Sequence, residues 1–192
     1  KLSKRAGSYT TVRELVSEVG VDVARFFFLM RKPEAQLVFD LDVAMDQSEK
    51  NPVFKVQYAH ARMCSIFRKA GLEANEISAD GAAFEVLSHP LERELIKRLA
   101  DFPDTIERAA GARAPHIVCD FLEQTAGAVN SWYHAGNPSR NPELAVLAGD
   151  PGIRKARLCL ARSVQIVLRN GLDILGLTAP TRMERGEEEQ DD

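Results

Sequence analysis

The chain has 192 residues, 45% of them hydrophobic and 28% charged, the composition of a globular protein long enough to bury a core rather than of a disordered chain. No apolar run reaches the length of a membrane span, and no apolar stretch of a secretory signal follows the opening Lys1-Leu2-Ser3-Lys4-Arg5. The net charge of -3 is unevenly spread: residues 184–192 hold six acids against one base, so the rest of the chain is slightly positive and nucleic acid stays open as a partner.

In chain order, Thr11 with Glu14 forms a capping box ahead of Val12, Leu15, Val16 and Val19, and Gly20 stops that helix. Asp22 opens a second helix carrying Phe26, Phe27 and Met30, and Pro33 ends it. Leu37, Phe39 and Leu41 alternate with Val38, Asp40 and Asp42, which predicts one short extended segment. Asn51-Pro52 starts a helix to about Ala70, with Val53, Val56, His60, Cys64 and Phe67 as its core stripe. His89-Pro90 opens a further helix that Pro103 breaks, and a short helix over 104–110 follows. A long helix runs from Ala114-Pro115 to Gly136, a Pro- and Gly-rich loop covers 137–152, and a last long helix continues to Asn170-Gly171. The fold class expected is all-α, an antiparallel bundle of about five helices over 51–183. Residues 1–50 precede it as a separate α-rich segment with few long-range apolar anchors, and 184–192 form an acidic disordered tail.

Motifs of independent catalysis are missing: no nucleotide-binding Gly-rich loop, no Gly-x-Ser-x-Gly and no His-Glu-x-x-His. Cys64, Cys119 and Cys159 lack zinc-ligand spacing and read as buried free thiols of a cytoplasmic protein, with no metal site. His60 falls on an apolar stripe and reads as a core histidine. Charge on two helices is one-sided. Lys55, Arg62 and Lys69 recur at sevens, with Tyr58 close by, and Arg154, Lys155, Arg157, Arg162 and Arg169 occupy one arc of the last helix. Trp132-Tyr133 at a helix end either stack on unpaired bases or, for Trp132, plug the core.

Four strings carry a family resemblance. Lys1-Leu2-Ser3-Lys4-Arg5 resembles the Lys-Met-Ser-Lys-Ser loop of class I aminoacyl-tRNA synthetases, departing at Leu2 and Arg5. Residues 20–30 (GVDVARFFFLM), 51–62 (NPVFKVQYAHAR) and 167–176 (VLRNGLDILG) running on to Ala179-Pro180-Thr181-Arg182-Met183 are similar to the C-terminal part of bacterial-type arginyl-tRNA synthetases. The resemblance implies a signature-loop and stem-contact segment over 1–50 and a helical anticodon-binding domain of the DALR type over 51–183. It implies that Lys1, Ser3 and Lys4 face the phosphates of ATP, bound with Mg, where positive charge stabilises the departing pyrophosphate. It also implies tRNA contacts from Gln57, Tyr58 and Arg62, from Trp132 and Tyr133, and from Met183, with Arg162 and Arg169 added from the basic arc. His60 belongs to the family's contact stretch, but the helical projection turns it inward.

The expected function is the tRNA-binding part of an enzyme that joins arginine to its tRNA. Its partners are arginine tRNA and the catalytic domain of the same enzyme. The chain opens without Met and lacks a His-Ile-Gly-His motif, which suggests a monomeric fragment that binds no ATP and is inactive alone. Two alternatives stand beside this: a non-catalytic helical protein-interaction module, and the equivalent part of a cysteinyl-tRNA synthetase.

Overall fold

A computed structural model of the chain describes residues 11–139 and 141–184. The signature-like Lys1, Ser3 and Lys4, and the acidic tail beyond Glu184, lie outside the described residues. Eight α-helices make up the described structure: α1 (Val12–Val19), α2 (Val21–Leu29), α3 (Leu41–Met45), α4 (Pro52–Ala70), α5 (Pro90–Ala100), α6 (Phe102–Ala112), α7 (His116–Ala135) and α8 (Pro151–Ile174). No strand occurs among the described residues.

The helix ends follow from side-chain chemistry. The Thr11–Glu14 capping box forms as the sequence predicts. Asn51 Oδ1 accepts from the amides of Val53 and Phe54 at 3.1 and 3.4 Å, while its Nδ2 donates to the Ala44 carbonyl at 2.9 Å, fixing the entry of α4 to the end of α3. Gly71, with φ at 69°, takes the left-handed cap after Ala70. The strand-like segment expected over 37–42 does not form. Asp40 Oδ1 accepts from the Val43 amide at 3.2 Å and caps α3, so the aspartate that fitted an alternating strand starts a helix instead.

The core lies where α4 packs on α7 and α8, with α5 and α6 against α7. Val53, Val56, His60, Cys64 and Phe67 are all buried, as their spacing predicts, and so are Leu160, Val164 and Leu168 of α8. Contact between α7 and α8 is close at Gly171, where an added Cβ would come within 2.5 Å of Leu122 Cδ2. Ile96 of α5 is 42% exposed.

The segment before Asn51 is better anchored than its sequence suggests. Phe26 of α2 is fully buried within the main hydrophobic core. The Asp22 carboxylate accepts from Gln57 Nε2 at 2.7 Å, from the Thr178 amide at 3.1 Å and from the Thr178 hydroxyl. One phenylalanine and one aspartate thus tie α2 to the core, to α4 and to the chain after α8.

Candidate nucleic-acid interface

The candidate interface grows from the α4–α7 contact. Tyr58, Arg62 and Ser65 recur along one side of α4 at spacings of four and three, and Tyr133 projects from the last turn of α7. Packing of the two helices places the Arg62 guanidinium between two rings, its carbon 4.6 Å from the Tyr58 centroid and 4.8 Å from that of Tyr133. Arg62 also donates to Asn130 Oδ1, lies 3.5 Å from His134 Nε2, and is 3.7 Å from a Glu49 carboxylate oxygen. Arg62 is only 7% exposed, so its charge is held by stacking, an amide and a carboxylate rather than by water.

Above this sandwich opens a groove of about 410 Å³, lined by Tyr58, Arg62 and Ser65, by Tyr133, and by the chain end at Arg182–Glu184. Arg68 and Arg182 are exposed on its rim. Arg68 Nη1 donates to the Thr181 carbonyl at 2.9 Å, joining the groove's two walls. Half-buried aromatic rings between exposed cations suit a single-stranded nucleic acid, whose bases stack while its phosphates meet the cations.

The stretch of chain that closes the groove is held from below. Gln57 Nε2 donates to the Thr178 carbonyl at 3.0 Å. His60 Nδ1 donates to the Pro180 carbonyl at 2.9 Å, and His60 Nε2 accepts from the Gln165 amide at 2.9 Å, which assigns the proton to Nδ1. Burial pushes the His60 pKa below its ordinary value near 6.5, against a smaller opposing effect of the Pro180 carbonyl.

Several sequence-predicted contacts have other places. Gln57, 8% exposed, spends its amide on Asp22 and Thr178 inside the protein rather than on a nucleic acid. Trp132 is 2% exposed and belongs to the core, as the plug reading has it, which leaves Tyr133 as the half-buried ring of the pair at the groove. Arg62 is not on an open basic face with Lys55 and Lys69, because the face at that height is where α7 docks. Arg157 leaves the basic arc of α8 too: it is buried against Glu92, with Nε 2.8 Å from the carboxylate, and donates to the Glu143 and Ala145 carbonyls. Arg162 is half-buried and bonded to Gln165, and Arg169 is exposed beside Asp173 at 3.8 Å; neither lines the groove. Tyr58, Tyr133 and Met183 do line it. Sequence reasoning missed Arg68 and Asn130. The continuation of the three-and-four stripe from Tyr58 and Ala61 through Ser65 points to Arg68, whereas no local signal marks Asn130.

Among the described residues no cluster of His, Cys, Asp and Glu could hold a metal ion, and no helix is long and apolar enough to cross a membrane.

Comparison with known proteins supplies the family. The family model for the DALR anticodon binding domain matches residues 56–183. Arginine–tRNA ligases are similar across 95% of the chain, at 48% identity for that of Moorella thermoacetica and 45% for that of Geotalea daltonii. In each case the chain spans about 31% of the relative's length. The structure of Thermus thermophilus arginyl-tRNA synthetase superposes with a TM-score of 0.73 at 32% identity, covering 94% of this chain and 29% of that one. A Campylobacter jejuni structure, with a TM-score of 0.78 at 24% identity, supports the fold, covering 94% of this chain and 37% of that one. The likeness to arginyl rather than cysteinyl enzymes, carried by the three strings after the signature-like opening, therefore holds, and the chain belongs to the DALR anticodon-binding domain family.

Proposed function

We propose that this chain is the tRNA-binding portion of an arginine–tRNA ligase and that the groove over Arg62 holds the anticodon region of arginine tRNA. The observation that supports this is the pairing of Tyr58 and Tyr133 around one guanidinium, beneath a rim bearing Arg68 and Arg182. Tyr133 supplies a ring for an unstacked base, Met183 supplies apolar surface next to it, and the rim arginines neutralise flanking phosphates. Gln57 and Trp132 shape the site from inside. Arg162 and Arg169 could meet only a part of the tRNA beyond the groove.

The test is titration of a labelled arginine tRNA transcript with the 192-residue chain at several salt concentrations. Tight, salt-dependent binding that weakens roughly tenfold or more in Tyr133→Ala, at unchanged melting temperature, is the expected result. Binding that is indifferent to salt and to Tyr133 would favour the interaction-module alternative.

In the complete enzyme, the segment up to residue 50 would contact a catalytic domain, and arginine would be activated with ATP and Mg in the cytoplasm. Lys1, Ser3 and Lys4 are the residues proposed to meet the ATP phosphates. The 192-residue chain is expected to be a monomer and to give no arginine-dependent ATP–pyrophosphate exchange, since two lysines cannot by themselves orient both reactants. Exchange above background by the pure chain would refute that expectation.

A further inference from the structure

We infer that His60 is a positioning residue of the groove: it touches no nucleic acid, and it holds the Thr178–Met183 segment where that segment completes the nucleic-acid site. This rests on the function proposed above. The segment is a strap without helix or strand of its own after Leu177, and it makes one wall of the groove through Arg182 and Met183. An irregular strap has no internal ladder of hydrogen bonds, so its position depends on what other elements offer its backbone. α4 offers three side chains in succession. Gln57 reaches the Thr178 carbonyl, His60 the Pro180 carbonyl, and Arg68 the Thr181 carbonyl, at 3.0, 2.9 and 2.9 Å. Asp22 of α2 takes the Thr178 amide and hydroxyl from the opposite side.

His60 is the member of this row that neither reaches α2 nor lines the groove. Gln57 is shared with Asp22, and Arg68 is itself on the groove's rim. The imidazole is fully buried and locked at both nitrogens. Its Nε2 accepts from Gln165, whose carbonyl oxygen is in turn held by Arg162, so the amide cannot turn over without losing that bond. The ring therefore presents its Nδ1 proton to Pro180 in one orientation only. Tyr58 and Arg62, two residues to either side of His60 on α4, line the groove that the strap closes. The spacing of that helix thus alternates residues that line the groove with residues that position its far wall.

Two substitutions separate the halves of the imidazole. In His60→Asn the amide N–H stands where the Nδ1 proton stood and keeps the bond to Pro180. In His60→Gln the amide oxygen stands near Nε2 and keeps only the bond from Gln165. The measurements are amide hydrogen exchange in the peptide 177–183 and affinity for an arginine tRNA transcript, both on the 192-residue chain, with thermal melts alongside. The expected result is that His60→Gln speeds exchange in that peptide and weakens tRNA binding by about tenfold, the loss of one buried hydrogen bond, whereas His60→Asn restores both. If the two variants weaken binding equally with unchanged exchange at 177–183, the positioning role is refuted. If exchange rises in His60→Gln and tRNA affinity does not change, the inference is again refuted. Tyr133→Ala then tells which level failed: a loss of binding there leaves the groove as the tRNA site, and no loss removes the groove reading itself. Thr178→Val, at an exposed position, loosens the same strap from its own side. It carries the test if a His60 variant does not fold, since exchange and affinity must change together in it or the inference is refuted.

Discussion

Two guanidinium groups are buried among the described residues, in regions that use them differently. Arg157 of α8 is closed in by the Glu92 carboxylate of α5 and by the Glu143 and Ala145 carbonyls, and is 5% exposed. Arg62 of α4 is stacked between Tyr58 and Tyr133 under a groove, with Asn130, His134 and the half-buried Glu49 carboxylate as its polar partners. The first is a neutralised charge that joins α5, α8 and the loop over 142–148. The second is a spacer that keeps two rings apart and leaves them at the edge of solvent. Burial alone therefore does not make an arginine structural or functional; what matters is whether its partners are closed carboxylates or surfaces that a ligand can still use.

The largest effect should come from breaking the Arg157 region. Arg157→Met strands Glu92 in the core, and a denaturant melt should show a loss of about 3–5 kcal/mol. Adding Glu92→Leu in the same chain should return much of it, because the stranded charge is then gone. If the double variant is no more stable than the single one, the pair is not the closed unit described here.

The Arg62 region should give a smaller stability effect and a larger functional one. Arg62→Met should cost about 1–3 kcal/mol in stability through the orphaned Asn130 carbonyl and the loosened rings. It should weaken tRNA binding without changing the salt slope, since a stacked guanidinium is not free to meet a phosphate. A slope reduced by about one would show that Arg62 contacts a phosphate directly and would erase the distinction between spacer and contact. Arg182→Gln, on the exposed rim, should do the reverse: little change in melting, an affinity loss of about 1 kcal/mol or less, and a shallower salt slope.

Acid should act most gently, through His60. Its folded pKa lies below the unfolded value near 6.5, so its contribution to stability is fully present above that value and is lost as pH falls below it. Arg162 and Arg169 add to the lowering and Asp173 opposes it. A stability profile between pH 7 and 5 should be flatter in His60→Asn than in the parent chain. An unchanged profile would mean that another group carries the acid sensitivity.

Much of the site was legible in the chain because local signals wrote it. Tyr58 and Arg62 share a helix face by spacing, and Asn51-Pro52 and Gly71 mark the ends of that helix. The core stripe through His60 is a 3.6-residue repeat, and it correctly turned the histidine inward. The one-sided charge on α4 and α8 was legible too, yet it misled for Arg62 and Arg157, because a helical wheel separates core from non-core but not solvent from a second packed helix.

What the sequence determined by itself was the helical class, several helix ends such as those of α4, and the family likeness, all of which rest on spacings within a few tens of residues. Tertiary structure decided the rest. Only the docking of α7 on α4 brings Tyr133 over Arg62, 71 positions away in the chain, and only the return of the chain end brings the Pro180 carbonyl to His60, a separation of 120 residues. Phe26 and Asp22 show the same limit: a short amphipathic segment cannot reveal that one ring fills the core formed by distant helices or that one carboxylate receives a distant backbone amide. Such contacts are set by which helices meet and at what height, and hydrophobic periodicity constrains the face of a helix without fixing its partner.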